Sequence, residues 1–282
     1  AGFRLDVADE LPDEFIEKVR AAVKRVGPEK FLLGEVWEDA TTKFGFNKRR
    51  TYLLGKGLDS VMNYPFKNAV LDFVKGKPAE QAMTEILTIC EHYPAPAMDT
   101  ALNFLSTHDT ERALTVIADE PANGRGRAWQ SGRCVTGDAY EEGLLRLRMA
   151  YAIIYTLPGV PCLYYGDEIA MQGYRDPFNR AFFRWDAHEQ RLRPVLAQLA
   201  QLRHTCEAFR TGQLRVLRAE DGILHYQRVG KVETAEIIVN RTEHIIVETL
   251  ASGKSTEVNP MGFTIVVEEV GHNPDHSYYD YV

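Results

Sequence analysis

The chain has 282 residues, of which 45% are hydrophobic and 26% are charged, and its net charge is −7 at pH 7. This composition is typical of an ordinary globular protein with one large core and a smaller module. The acidic balance, without a basic patch, argues against a nucleic-acid partner, and no apolar run is long enough to predict a membrane span.

The cysteines also limit the class of protein. Cys90, Cys134, Cys162 and Cys206 are scattered, without a Cys-x-x-Cys pair. They fit neither a zinc site nor a dense disulfide framework. We therefore expect reduced thiols and a cytoplasmic location. No signal peptide opens the sequence. It begins inside an apparent strand, which predicts that the native start lies upstream.

The first predicted element is a strand over residues 2–8. Arg4 and Asp6 are two residues apart in it and share a face. An adjacent guanidinium favours the ionised carboxylate, although a plain structural pair is the alternative. A helix over residues 12–26 follows, with proline and acidic residues at its start and Gly27 after its end.

The stretch FLLGEVW at residues 31–37 predicts a strand buried on both faces, as in parallel sheets. Together with the preceding strand and helix it forms a parallel βαβ unit. Glu35 lies inside this apolar run, and an unpaired buried carboxylate is costly. We expect Glu35 at the carboxyl end of the strand, where (β/α)8 barrels carry their catalytic groups. The alternative is a structural glutamate paired with a nearby arginine.

The same alternation of strand and helix continues to about residue 206. A strand over residues 102–106 ends in His108 and Asp109, so a second apolar strand is followed by a carboxylate. The alternative for this pair is a polar loop start or helix cap. The other predicted elements are strands over 59–64 and 160–165, helices over 65–75, 78–93, 140–157 and 190–206, and loops over 38–50 and 120–138.

The pattern changes after residue 209. Short β-rich runs separated by turn residues predict a small all-β domain, a sandwich or a barrel; they lie at residues 214–217, 223–228, 235–239, 245–249 and 264–267. We therefore divide the chain into an α/β domain over residues 1–209 and an all-β C-terminal domain over residues 210–282.

Four motifs in the first domain resemble those of the α-amylase family of glycoside hydrolases. GFRLDVA at residues 2–8, GEVW at 34–37 and NFLSTHD at 103–109 resemble the motifs after the fourth, fifth and seventh barrel strands, and VPCLYYGDE at 160–168 resembles the eighth strand and its loop. Residues 60–66, together with 176–185, are most similar to the neopullulanase, cyclomaltodextrinase and maltogenic-amylase branch.

This resemblance implies the carboxyl half of a (β/α)8 TIM barrel, from the fourth to the eighth strand, followed by a sandwich-like C-terminal domain. The first three strands of the family, their Asp-x-x-x-Asn-His motif and the N-terminal module of the branch are not in the sequence. We expect a fragment with little activity alone. Its exposed sheet edges would be covered by the missing amino-terminal half of the barrel or by a second copy in a homodimer.

The resemblance also implies retaining hydrolysis, which needs two carboxyl groups roughly 5–5.5 Å apart. Asp6, beside Arg4, suits the nucleophile. Glu35, in an apolar strand, suits the acid/base that keeps its proton until it donates. Asp109 and His108 would contact sugar hydroxyls and stabilise the transition state. We expect Asp6, Glu35 and Asp109 at one mouth of the sheet.

Further candidates for substrate binding are Arg4, His108, Trp37, Glu10 and Tyr64. Trp37 and Tyr64, like Phe66, could stack on sugars or belong to the core. Glu10 could shape the floor of a subsite, or it could be an acidic residue before a helix.

Other side chains of the α/β domain are predicted to be structural. Trp185 and Tyr165 are assigned to the core. Arg180 is expected to pair with Asp167 or Asp176.

The predicted function is retaining cleavage of α-1,4-glucosidic bonds in starch-derived oligosaccharides, cyclodextrins or pullulan. Hydrolysis and transglycosylation would use the same residues, so both stay open. The alternative is an inactive amylase-like scaffold or carbohydrate-binding protein, which should have lost one of the three carboxylates. We expect no cofactor and no catalytic metal, and no oxygen-ligand spacing indicates a structural calcium ion.

Overall fold

The computed structural model describes residues 2–270 and 278–279, and five parallel strands form the centre of its first domain. β1 pairs with β2, β2 with β5, and β6 with β7, all in parallel, while a bridge from Met62 to Leu102 joins β5 to β6. The five parallel strands are β1 Phe3–Leu5, β2 Leu32–Gly34, β5 Ser60–Val61, β6 Leu102–Asn103 and β7 Val160–Pro161. β3 Phe44–Gly45 and β4 Lys48–Arg49 form a separate antiparallel pair in the loop after β2.

Helices connect these strands and cover the outside of the sheet. They are α1 Asp13–Val26, α2 Tyr64–Lys75, α3 Ala79–His92, α4 Ala95–Met98, α5 Ala113–Ala118, α6 Arg127–Ser131, α7 Gly137–Thr156, α8 Leu192–Thr205 and α9 Ala208–Thr211. The order of strand, helix and parallel strand confirms the predicted carboxyl half of a (β/α)8 barrel. Within the described residues, no helix combines the length and apolarity that a membrane crossing requires.

The boundaries differ from the predictions mainly at the strands. The strand predicted over residues 2–8 ends at Leu5, because Val7 adopts a left-handed conformation and a short 3-10 helix, Ala8–Glu10, follows. The strand predicted over 102–106 likewise contains only Leu102 and Asn103. In both places the polar motif begins where the chain leaves the sheet. The loop predicted over 120–138 contains the short helix α6.

The C-terminal part is built from antiparallel strands, which confirms the small all-β domain. β8 Gln213–Glu220, β9 Ile223–Val229, β10 Glu233–Asn240, β13 Gly262–Glu269 and β14 Tyr278–Tyr279 form one sheet, and β11 Ile246–Thr249 pairs with β12 Ser255–Val258. A cluster of Ile223, Ile238, Leu250, Val258 and Val266 lies between the two sheets. β12 was not predicted.

The predicted division of the chain between residues 209 and 210 falls inside helix α9, and β8 begins three residues after residue 210. This boundary stays a prediction. Residues 271–277 and 280–282 of the predicted C-terminal domain lie outside the described part of the chain.

A buried arginine joins the two parts. Arg228 of β9 donates from Nη1 to the carbonyl of Thr156 over 2.7 Å and from Nη2 to the carbonyl of Gly212 over 2.8 Å. Its neighbour Tyr226 shares a 2.6 Å hydrogen bond with the Thr156 hydroxyl. Burial lowers the pKa of Arg228 to about 10. The end of α7 is therefore anchored to the β domain by hydrogen bonds that water does not reach.

Replacement of this arginine should destabilise the protein. We expect Arg228→Met to lower the free energy of unfolding by about 2 kcal/mol, because two buried carbonyls lose their donors. Arg215→Met, at an exposed position of β8, should change it by less than about 0.5 kcal/mol. Equilibrium denaturation measures both. Equal effects of the two substitutions would contradict an anchoring role.

Candidate active site

The three predicted carboxylates follow strands of the parallel sheet. Asp6 comes directly after β1 and Glu35 directly after β2, while Asp109 follows β6 after a short loop. The carboxyl ends of parallel strands meet at one edge of a sheet, which is the edge where barrel enzymes bind substrate. The fold therefore brings the three polar motifs to the same edge.

Arg4 contacts two of these carboxylates. Its Nη1 lies 2.7 Å from Asp6 Oδ1, and its Nη2 lies 3.0 Å from Glu35 Oε2. The two acids differ in exposure, since the side chain of Asp6 is 71% exposed and that of Glu35 only 4%. One guanidinium thus holds an open carboxylate and a buried one side by side. The arginine pair expected as the structural alternative for Glu35 is present, and it lies at the carboxyl edge of the parallel sheet.

Glu35 also accepts hydrogen bonds from neighbouring residues. The Val7 N–H lies 2.9 Å from Oε2, and the indole N–H of Trp37 lies 3.1 Å from Oε1. The Tyr64 hydroxyl is 3.5 Å from the same Oε1. A buried carboxylate needs such donors to offset its lost hydration. These bonds leave the Glu35 side chain with a single defined orientation.

Aromatic rings adjoin this acid. Trp37 stacks on Tyr64 with ring centroids 4.5 Å apart, and Tyr64 meets the edge of Phe104 at 4.8 Å. Trp37 is 44% exposed, whereas Tyr64 is buried. Burial raises the pKa of Tyr64, and the negative charges of Glu35 and Asp109 act in the same direction. Of the two rings, only Trp37 presents a surface to a ligand; the buried ring of Tyr64 favours its core alternative.

Asp109 is held by the loop that follows β7. Its Oδ1 lies 3.3 Å from Nη2 of Arg180, and its Oδ2 lies 3.0 Å from Nε2 of His108. Asn179 donates to the carbonyls of His108 and Thr110, each over 2.8 Å. Arg180 also pairs with Asp176 at 3.0 Å, which is one of the two partners expected for it. Sequence reasoning missed Asn179, because its partners are backbone atoms.

Comparison with known proteins identifies the family of this site. A sequence profile described as alpha amylase, catalytic domain, matches residues 1–213. The chain belongs to the α-amylase family. This match confirms the resemblance inferred from the four motifs, which all lie within the matched region.

Relatives in this family include the predicted branch. A cyclomaltodextrinase of Geobacillus thermopakistaniensis is 33% identical over 247 residues, which cover 86% of this chain and 37% of that protein. Neopullulanase 2 of Thermoactinomyces vulgaris is 31% identical, covering 90% of this chain and 40% of its own length. The chain thus spans about two fifths of the length of these curated relatives.

A solved structure supports the fold. The ligand-free cyclic alpha-maltosyl-(1→6)-maltose hydrolase of Arthrobacter globiformis superposes with a TM-score of 0.80. The match covers 95% of this chain and 56% of that chain, at 24% sequence identity. At this identity the likeness concerns the fold alone.

A second buried arginine holds the loops of this α-amylase-family site together. Arg112 donates from Nη1 to the carbonyl of Tyr165 over 2.7 Å and to Asp167 Oδ1 over 3.1 Å. Its guanidinium lies 4.8 Å from the ring centroids of both Tyr164 and Tyr165. The Tyr151 hydroxyl donates to the other oxygen of Asp167 over 2.6 Å. Asp167, the other partner expected for Arg180, thus pairs with Arg112 instead.

Two assignments to the core were wrong. Trp185 is 90% exposed and Tyr165 is 39% exposed. Trp185 lies in the segment between β7 and α8, outside the strands and helices, with Phe182 also exposed. Apolar character predicts burial only where periodicity assigns a face, and this segment has none. Glu10 is exposed at the end of the 3-10 helix after Asp6. This position fits both a residue that shapes the floor of a subsite and an acidic residue before helix α1.

Within residues 2–270 and 278–279, no group of three or more His, Cys, Asp or Glu side chains is arranged to hold a metal ion.

The Asp167 network predicts a pH effect on stability. Burial raises the pKa of Asp167 from 3.8 to about 6, although Ser106, Tyr151 and Arg112 oppose the shift. As pH rises through this window, the unfolded chain releases its proton before the folded one does. The stability contributed by this group is therefore present at acid pH and is lost between pH 3.8 and about 6.

The measurement compares wild type with Asp167→Asn by denaturation at several pH values. The free energy of unfolding of wild type minus that of the variant should fall across this window and stay flat above it. A difference that rises with pH would show that the charge of Arg112 outweighs the burial of Asp167.

Proposed function

We propose that the protein is a retaining α-glucan hydrolase that cleaves α-1,4-glucosidic bonds in starch-derived oligosaccharides, cyclodextrins or pullulan. The observation that carries this proposal is the contact of Asp6 and Glu35 with one arginine at the carboxyl end of parallel strands. Retaining hydrolysis needs two neighbouring carboxyl groups of this kind. The names of the cyclomaltodextrinase and neopullulanase relatives support this substrate class.

The two acids have environments that suit different roles. Asp6 is exposed and lies 2.7 Å from Arg4, so it would attack the anomeric carbon. Glu35 is buried beneath Trp37 and would give its proton to the leaving oxygen as that bond breaks. Glu35 would then take a proton from water, whose oxygen displaces Asp6 and restores the starting configuration.

The remaining predicted residues would bind sugar. The exposed ring of Trp37 can stack on a sugar face. Asp109 and His108, held together at 3.0 Å, would contact hydroxyl groups and stabilise the transition state. Arg4 would hold Asp6 in position, and Glu10 and the Tyr64 hydroxyl would lie around the cleavage point.

The alternative is an inactive amylase-like scaffold or carbohydrate-binding protein. Such a protein should have lost one of the carboxylates, and Asp6, Glu35 and Asp109 are all present. Transglycosylation would use the same residues and stays open. We also propose a cytoplasmic location, because the four cysteines are free.

Substitution of the two acids tests the proposal. In the intact protein, Asp6→Asn and Glu35→Gln should each lower kcat on maltotriose by about 1,000-fold or more. Azide should restore part of the turnover of Glu35→Ala with an activated aryl maltoside, because a good leaving group needs no acid and azide needs no base. Circular dichroism checks that the fold is kept.

Glu38→Gln is the matched control, since Glu38 is an exposed carboxylate in the loop after Glu35. It should leave kcat within about twofold of wild type. Full activity of either acid variant, or failure of azide to act despite normal substrate binding, would contradict the assigned roles.

We further propose that the edges of the parallel sheet are covered in the active protein. Within the described residues, β1 pairs only with β2 and β7 only with β6. Phe3 on β1 is 67% exposed, and Val160 on β7 is 42% exposed. Unpaired strand edges and exposed apolar side chains favour association. The cover would be additional strands of the same barrel or a second copy of the chain.

The 282-residue chain by itself should therefore be a poor catalyst. We expect little or no turnover of maltotriose or cyclodextrin, and a mass in solution above that of the 31.9 kDa monomer. Sedimentation analysis and a sugar-release assay measure both. A stable monomer with full turnover would show that the five strands form a complete catalytic unit.

A further inference from the structure

The turn that follows Asp6 has an unusual backbone. Val7 has φ 42° and ψ 50°, in the left-handed region. This conformation is rare for a β-branched residue and persists only where its surroundings enforce it. It directs the Val7 N–H to Oε2 of Glu35 at 2.9 Å, and the Ala8 N–H donates to the Glu35 carbonyl over 3.2 Å. The turn therefore supplies a backbone donor to the acid.

One side chain binds the backbone of this turn. The buried guanidinium of Arg50 donates from Nη1 to the Asp9 carbonyl over 3.0 Å and from Nη2 to the Leu11 carbonyl over 2.5 Å. Its Nε donates to Asp13 Oδ1 over 2.8 Å. These planar donors hold residues 9–13 in one arrangement, which fixes the chain directly after Val7.

Arg50 belongs to the loop that follows Glu35, so it connects the segments behind the two acids. Its own N–H donates to the Lys43 carbonyl over 2.8 Å. The Tyr52 ring lies 4.3 Å from its guanidinium, and the Tyr52 hydroxyl donates to Asp9 Oδ1 over 2.7 Å. Lys43 pairs with the other oxygen of Asp9 at 3.0 Å. The loop and the turn are thus joined by several contacts, most of them to Arg50.

We propose that Arg50 is a positioning residue for Glu35: it holds the turn over residues 7–11 so that the Val7 N–H stays on the Glu35 carboxylate. This inference rests on the proposed function, in which Glu35 is the acid/base. Arg50 acts on the site through the turn whose carbonyls it binds. Asp6 has its own partner in Arg4, so loss of Arg50 should affect proton transfer more than nucleophilic attack.

The test uses the intact protein and two substrates that differ in their need for an acid. The glycosidic oxygen of maltotriose must be protonated to leave, whereas the fluoride of α-maltosyl fluoride leaves with little help. We expect Arg50→Met to lower kcat/KM on maltotriose by about 100-fold, as a misplaced acid would. On α-maltosyl fluoride the loss should be about threefold or less, since the acid contributes little there.

Arg20→Met is the matched control. Arg20 also bonds to a carboxylate and a carbonyl, at 2.6 Å to Asp59 and 3.3 Å to Gly57, but it lies on α1 beside the start of β5. It should show no selectivity between the two substrates. Equal losses of Arg50→Met on both substrates, or none on either, would overturn the inference.

Two further measurements cover the case in which Arg50→Met folds poorly. Tyr52→Phe removes the hydroxyl bonds to Asp9 Oδ1 and to the Ala8 carbonyl. It should give a smaller loss than Arg50→Met, again larger on maltotriose than on α-maltosyl fluoride. Hydrogen exchange of the Val7 amide should accelerate in Arg50→Lys, because a compact ammonium cannot reproduce the planar set of donors that binds two carbonyls and Asp13 at once. Equal losses of kcat/KM on the two substrates in Tyr52→Phe, or an unchanged exchange rate of the Val7 amide in Arg50→Lys, would contradict the proposed role.

Glu35→Gln separates this inference from the proposed function. If Glu35→Gln loses maltotriose cleavage selectively and Arg50→Met does not, only the role of Arg50 fails. If Glu35→Gln shows no selectivity, the assignment of Glu35 as the acid fails, and the role of Arg50 fails with it.

Discussion

The charge of Arg4 between Asp6 and Glu35 is the interaction on which the site depends. Two carboxylates close together repel each other, and the nearly buried Glu35 would be costly without a partner. A guanidinium has separate N–H groups, so it can satisfy both acids at once. The acids nevertheless stay different, because one faces solvent and the other lies beneath Trp37. In the proposed mechanism, that difference would let one arginine contact both the nucleophile and the proton donor.

The loops around this pair are fixed by side chains that bind backbone carbonyls. The strands of the parallel sheet are only two or three residues long, so their ladders end before the candidate site residues begin. Arg50 holds the turn after β1, and Asn179 holds the segment that contains Asp109. Arg112 binds the loop after β7 in the same way. Buried side-chain donors on neighbouring loops thus fix the backbone of the site beyond the ends of the strands.

These contacts also explain which parts of the site could be predicted from the sequence. Glu35 stands out because an unpaired carboxylate inside an apolar run is costly to bury. Asp6 and Asp109 stand out because each follows an apolar strand in the same way. Arg50, Arg112 and Asn179 bind carbonyl oxygens, which every residue has, so no partner in the sequence reveals them. Trp185 was misjudged for a related reason, because an aromatic residue outside a periodic element carries no information about its direction.

The indole of Trp37 links sugar binding to proton transfer in the proposed mechanism. Its N–H is bonded to Glu35, one face of its ring is stacked on Tyr64, and nearly half of the side chain is exposed. A sugar placed on the free face would remove water from above the acid. Electrostatic interactions strengthen when water leaves, so the hydrogen bonds from Val7 and Trp37 that orient Glu35 would strengthen as substrate binds. The ring that recognises the sugar would therefore also complete the environment of the acid.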